Sequence, residues 1–184
     1  MKKTLAMLCV IALIAITTVP ALANPSITNQ PLEIAAPVEA DNGLTCATAD
    51  VNPDKYTEAV AEVVAAVNGN EVSLTPEQIV DSEGLQIAEA PDGFAVADYR
   101  FVTPFVDLVA LDGNSHEGEE LNATVTLQCA AMQGVTADTI SQYMVMQINP
   151  VNGDIYFIPI KIDDNGAFVV TLAIVGPFAI IQKI

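Results

Sequence analysis

The side chains best equipped for chemistry crowd into one stretch, Asp112-Gly113-Asn114-Ser115-His116-Glu117-Gly118-Glu119-Glu120. Carboxylates, an amide oxygen and glycines in a short loop suit a hard cation such as calcium, with Asp112, Asn114, Glu117, Glu119 and Glu120 as candidate ligands. The spacing departs from an EF-hand loop. Counted from Asp112, glycine is missing from the sixth position, and Ala123 stands at the twelfth, where a bidentate Glu belongs. A transition-metal site would have His116 as its single imidazole, because the chain has no second histidine. The pattern favours a solvated acidic loop, with no metal and no other cofactor expected.

His116 beside Ser115 invites a hydrolase reading. A Ser-His-acid triad is a matter of geometry, however, and adjacent residues in a glycine-flanked loop rarely point at one another. The chain also lacks a G-x-S-x-G elbow. A glycosidase needs only two well-placed carboxylates, and 23 acids supply many. Sugar sites usually add stacking aromatics, yet aromatic residues are 5% of this chain and Trp is absent. The expectation is therefore a protein that is not an enzyme, with a carboxylate-based hydrolase as one alternative.

The elements that must position this loop begin with an address. Lys2 and Lys3 precede the apolar run Leu5–Ile16, Pro20 breaks it, and Ala21-Leu22-Ala23 supplies small residues at a cleavage point. Residues 1–23 read as a secretory signal peptide cut between Ala23 and Asn24, and Thr17, Thr18 and Pro20 argue against a retained anchor. Cys9 lies within the apolar run rather than at the cut, so lipidation is not expected. No later run is long and apolar enough to span a bilayer, and Ile180–Ile184 carries neither a wall-sorting motif nor a basic stop-transfer tail. The formal charge of -17 becomes more negative when Lys2 and Lys3 leave, and it argues against nucleic acid as a partner. A secreted, extracellular protein follows as the expectation. Its remaining cysteines, Cys46 and Cys129, are an even pair in an oxidising compartment, where a disulfide worth about 4 kcal/mol is the default.

Along the mature chain, residues 24–45 carry Pro25, Pro31 and Pro37 without any period, and read as an extended or partly mobile leader. Residues 46–90 read as helical. Asn52-Pro53-Asp54 resembles a helix start, and Tyr56, Val60, Val63, Val64 and Val67 form one apolar stripe that ends at Asn68-Gly69. Thr75 and Gln78 are spaced as a capping box for a short second helix. From Phe94 the texture turns to strands over 94–102, 105–111, 121–129, 143–148, 155–162, 168–175 and 178–182. Val125, Leu127 and Cys129 alternate with Thr124, Thr126 and Gln128. Asn152-Gly153 and Asn165-Gly166 mark hairpins, while Pro159 marks an edge or a bulge. The sequon Asn122-Ala123-Thr124 falls in a strand and is taken as chance. Met132, Met144 and Met146 offer a soft patch, with core filling the safer reading for the last two.

The segment 121–184 combines the Tyr143–Ile148 strand, the N-P-x-x-G-D-I-Y-F-I-P hairpin, D-D-N-G and a closing G-P-F-A-I. It resembles the C-terminal Ig-like β-sandwich module of secreted and cell-surface proteins of Gram-positive bacteria. That resemblance implies an extracellular structural or interaction module without catalytic residues. Cys129, the long acidic loop and the missing wall anchor depart from the family's pattern. The whole reads as a mainly β, α+β protein, in which a helical segment packs on or beside an antiparallel Ig-like sandwich over 91–184. Its expected role is a non-enzymatic module for an extracellular protein or cell-surface component. A carrier or inhibitor with an apolar pocket between helix and sandwich is the other alternative.

Overall fold

The computed structural model describes residues 32–69 and 74–184; the signal peptide expected over 1–23 and its expected cut between Ala23 and Asn24 lie outside the described residues. Among the described residues twelve strands form two sheets. The smaller holds β1 (Glu33–Ile34), β7 (Glu120–Gln128), β11 (Phe168–Ile174) and β10 (Lys161–Ile162), in the order β1-β7-β11-β10. The larger runs β2 (Val38–Glu39), β3 (Thr45–Ala49), β6 (Val106–Ala110), β12 (Gly176–Lys183), β8 (Tyr143–Ile148), β9 (Asp154–Pro159) and β4 (Gln86–Glu89), with β5 (Tyr99–Phe101) also paired to β12. Every pairing is antiparallel except β4 with β9, so the larger sheet is mixed.

Alternation explains how the layers stack. In β7 the side chains of Leu121, Ala123, Val125 and Leu127 are buried while their neighbours face outward, the mark of a sheet covered on one side. They meet Val145, Phe178 and Ile180 of the larger sheet in one core between the sheets. In β8 all six residues are buried, because both faces of that sheet are covered. Tyr143 and Val145 point into the sandwich, while Met144, Met146 and Ile148 point to the opposite face. There α1 (Glu58–Gly69) lays Val60, Val63, Val64 and Val67 on the sheet, joined by Ile79 of α2 (Pro76–Val80). Each such aliphatic side chain contributes roughly 1.5–3 kcal/mol on burial. The two helices therefore cover the outer face of the larger sheet, while the rest of the stretch read as helical is not helix throughout and gives that sheet most of β3 and all of β4. Met132, Met144 and Met146 are all core.

Polar groups within the layers are matched one by one. The register of β11 against β7 shifts between Leu172 and Ile174, a bulge in β7 that sets Leu121 and Asn122 opposite Ala173. Gln147, fully buried on β8, closes it: its Nε2 donates to the Ile174 carbonyl at 2.7 Å and its Oε1 accepts from Ala173 N–H at 3.0 Å. Where β5 gives way to β6 alongside β12, the Thr103 hydroxyl accepts from Ile180 N–H at 2.8 Å. The Asn68 amide exchanges two hydrogen bonds with the Phe105 backbone and ties the end of α1 to the same connection.

The strands from 106 onward follow the sequence pattern closely, and Thr75 and Gln78 form the capping box. Several expectations need correction. The stretch read as a leader carries β1, β2 and the start of β3, crossing from the smaller sheet to the larger. Asn52-Pro53-Asp54 opens only a 3-10 turn, Pro53–Lys55, and α1 begins at Glu58, so Tyr56 lies outside the helix. Residues 94–98 are not strand; a 3-10 turn at Val96–Asp98 leads into β5. Finally, Cys46 and Cys129 are free thiols, not a disulfide. Cys46 sits in β3 of the larger sheet and Cys129 follows β7 of the smaller, and both pack against the core between the sheets without being joined. Burial raises the pKa of both thiols, and each packs as a small apolar side chain. Pro159 closes β9 rather than marking an edge strand: β8 and β4 flank β9, and after Ile160 the chain crosses to β10 in the smaller sheet.

Candidate functional site

Three connections meet at one end of the sandwich. They are the loop between β6 and β7, the turn between β8 and β9, and the corner between β11 and β12. Gly118 N–H donates to the Val175 carbonyl at 2.8 Å, and Val175 N–H donates to the Glu119 carbonyl at 2.9 Å, which joins the first and third. The Asn149 side chain joins the second: its Oδ1 accepts from Val151 N–H at 2.9 Å, and its Nδ2 donates to the Gly118 carbonyl at 3.3 Å. The segment ahead of α1 docks through Thr57 N–H to the Pro150 carbonyl at 2.8 Å. Two positions require glycine. A Cβ on Gly118 would fall 2.6 Å from Asn149 Oδ1, and one on Gly153 would fall 2.1 Å from the Gly84 carbonyl oxygen. Both also take φ near +77°, which L side chains rarely adopt.

These connections enclose an open cleft of about 570 Å³, walled by Lys55, His116, Glu117, Glu119, Asn149 and Val151 among others. A smaller cavity of about 170 Å³ lies beside it, sharing Lys55 and Glu117 and reaching Asp107. Lys55 pairs with Glu117 across the two, and the Ser115 hydroxyl donates to the same carboxylate. His116 Nδ1 lies 2.5 Å from Glu119 Oε2 and its Nε2 lies 3.0 Å from Asp112 Oδ2, with only 17% of its side chain exposed.

The charges follow from these contacts. The Glu119 and Asp112 carboxylates raise the His116 pKa above the usual imidazole value. Asp112 is lowered to about 2, first by the Asn114 N–H and side-chain amide, then by His116. Desolvation opposes ionisation of Glu117, yet Lys55 and Ser115 outweigh it and hold the carboxyl at about 2. Asp107 behaves in the opposite way. It is buried, and desolvation raises its pKa even though Tyr56 Oη donates to it at 2.6 Å and Asn52 N–H at 3.1 Å. The same burial, with Asp107 alongside, raises the Tyr56 pKa.

The loop singled out from the sequence thus lines the cleft, with its polar side chains bonded to one another and to Lys55. Both His116 nitrogens rest on carboxylates, and Ser115 turns to Glu117, so the two do not form a nucleophile and base. Asp112 and Glu119 converge on His116, Glu117 on Lys55, and Asn114 folds back on Asp112. Among the described residues no three His, Cys, Asp or Glu side chains gather where a metal could sit. Glu120 begins β7, with its carbonyl accepting from Asn42 Nδ2 at 3.0 Å.

Sequence reasoning missed Lys55, Asn149, Val151 and the Tyr56–Asp107 pair. Lys55 carried a signal, as the only cation between Lys3 and Arg100 in so acidic a chain. Compared with known proteins, the chain gives no significant match to a family model, a curated protein or a solved structure.

Proposed function

We propose that this protein is a secreted, non-enzymatic interaction module whose sandwich presents the loop-end cleft to an extracellular protein or cell-surface component. The observation that carries this reading is the cleft itself, built by loops that separate strands of a rigid scaffold hold in place. Loops so mounted can vary in chemistry without disturbing the core, which is how binding surfaces are commonly built. Val151 supports it: this side chain is 58% exposed on the cleft rim, where an aliphatic group gains nothing from the fold. The signal-like residues 1–23 and the Ig-like rhythm of 121–184 agree with an extracellular role. The interface of α1 with the larger sheet is packed with Phe105, Phe157, Met146 and Ile148, which disfavours the carrier reading.

The test is retention of host-surface or culture-fluid components on the immobilised protein, compared with Val151→Asp and Lys55→Glu variants at a temperature where circular dichroism shows all three folded. Selective loss of a retained component in the variants is the expected result. Equal retention by all three proteins, or turnover of a glycan or peptide without retention, overturns the reading.

A further inference from the structure

The loop that walls the cleft is closed by a single side chain able to change charge near neutral pH. His116 stands between Asp112, at the start of the loop, and Glu119, at its end. A protonated imidazole has two N–H donors and can serve both carboxylates; a neutral one has a single donor. Losing its proton therefore takes the imidazole donor from one carboxylate, leaving Glu119 bare or Asp112 with only its local bonds to Asn114, and makes a wall that already holds Glu117 more negative.

The other groups around the cleft do not compensate. Lys55, from the turn before α1, is engaged with Glu117. The turn between β8 and β9 offers Asn149, Val151 and Asn152, none of which titrates, and Asp154 behind them is held by Asn152 and Gln86. Glu120 faces away at the start of β7, and Asp107 lies in the adjoining cavity with Tyr56.

We propose that His116 is a proton-operated clasp on the cleft. Protonated, it draws Asp112 and Glu119 together and fixes the 112–119 wall; deprotonated, it releases one of them and loosens that wall. This regulation rests on the reading of the cleft as the binding site. Rigid walls lose less conformational freedom on binding, so the clasped form is the one that binds.

His116 is the only histidine in the chain, so its imidazole resonance can be followed without assignment ambiguity. The expected midpoint lies above the ordinary value of about 6.5, and Asp112→Asn and Glu119→Gln each lower it. The Gly118 amide, which donates to Val175, reports the wall. Corrected for the intrinsic pH dependence of exchange, its protection should fall several-fold as His116 deprotonates, and show no step in His116→Gln. A midpoint at or below the ordinary value, or Gly118 protection that is flat across the titration, overturns the clasp. Component retention measured one pH unit either side of the midpoint separates the two ideas. A protection step without retention at either pH removes the binding reading alone, and retention with flat protection removes the clasp alone.

Discussion

Gln147 and His116 are each held by two partners, yet they sit in opposite surroundings. Gln147 is fully buried in the sandwich, and its neutral amide meets one backbone donor and one backbone acceptor at a bulge. His116 is at the open end, and its partners are two carboxylates whose side chains are 39% and 49% exposed. A neutral amide is the less costly choice where water is excluded, because an unpaired charge there would be far more destabilising. At the loop end water can solvate whatever the clasp releases, so a titrating group can be kept. Interior polarity here serves architecture, and loop-end polarity serves response.

Gln147→Leu should separate the two regions most sharply. It strands Ala173 N–H and the Ile174 carbonyl between the sheets, at about 1–3 kcal/mol each, so urea denaturation should show a loss of roughly 2–6 kcal/mol. A loss below about 1 kcal/mol would mean that the bulge finds other partners, and the contrast would fail.

Asn149→Ala comes next, since Asn149 links the two regions. Its side chain holds the turn between β8 and β9 and reaches the Gly118 carbonyl. About 1–3 kcal/mol should be lost in the same assay, together with Gly118 amide protection in hydrogen exchange.

Acid and base should act on the loop end with opposite signs. Asp112 and Glu117 have folded pKa values lowered to about 2. Their contribution is therefore complete above the ordinary carboxyl range near 4 and is lost as pH falls through about 2. His116 is raised, so its contribution is complete below the ordinary imidazole value and is lost as pH rises through its folded pKa. Melting curves against pH should show both flanks, with Glu117→Gln shrinking the acid flank and His116→Gln abolishing the alkaline one.

The smallest effect belongs to Val151→Asp. Its side chain is exposed, so stability should move by no more than about 0.5 kcal/mol in thermal melts while component retention falls.

Legibility followed the range of each signal. The alternation of Leu121 to Leu127, the valine stripe of α1 and the Thr75–Gln78 box are local patterns, and each predicts its element. β1 and β2 have two residues each, too short for any period, and exist only because β7 and β3 offer edges to pair with. The capping residues at Asn52 misled because Pro53 and Asp54 suit a 3-10 turn as well as an α-helix. The disulfide expectation rested on the parity of Cys46 and Cys129, which says nothing about which sheet each enters.

By itself, the sequence determined most of the strands from 105 onward, the valine stripe of α1 and the Thr75–Gln78 capping box, and that one acidic loop would hold the only histidine. Tertiary structure alone decided that Lys55 meets Glu117 across 62 residues, that Asn149 clasps Gly118, and that Asp107 is buried with Tyr56. The physical reason is that side-chain period is a property of neighbours in sequence. Partnership between loops depends on which strands pair, and that is settled only when the two sheets and the helices close over their cores.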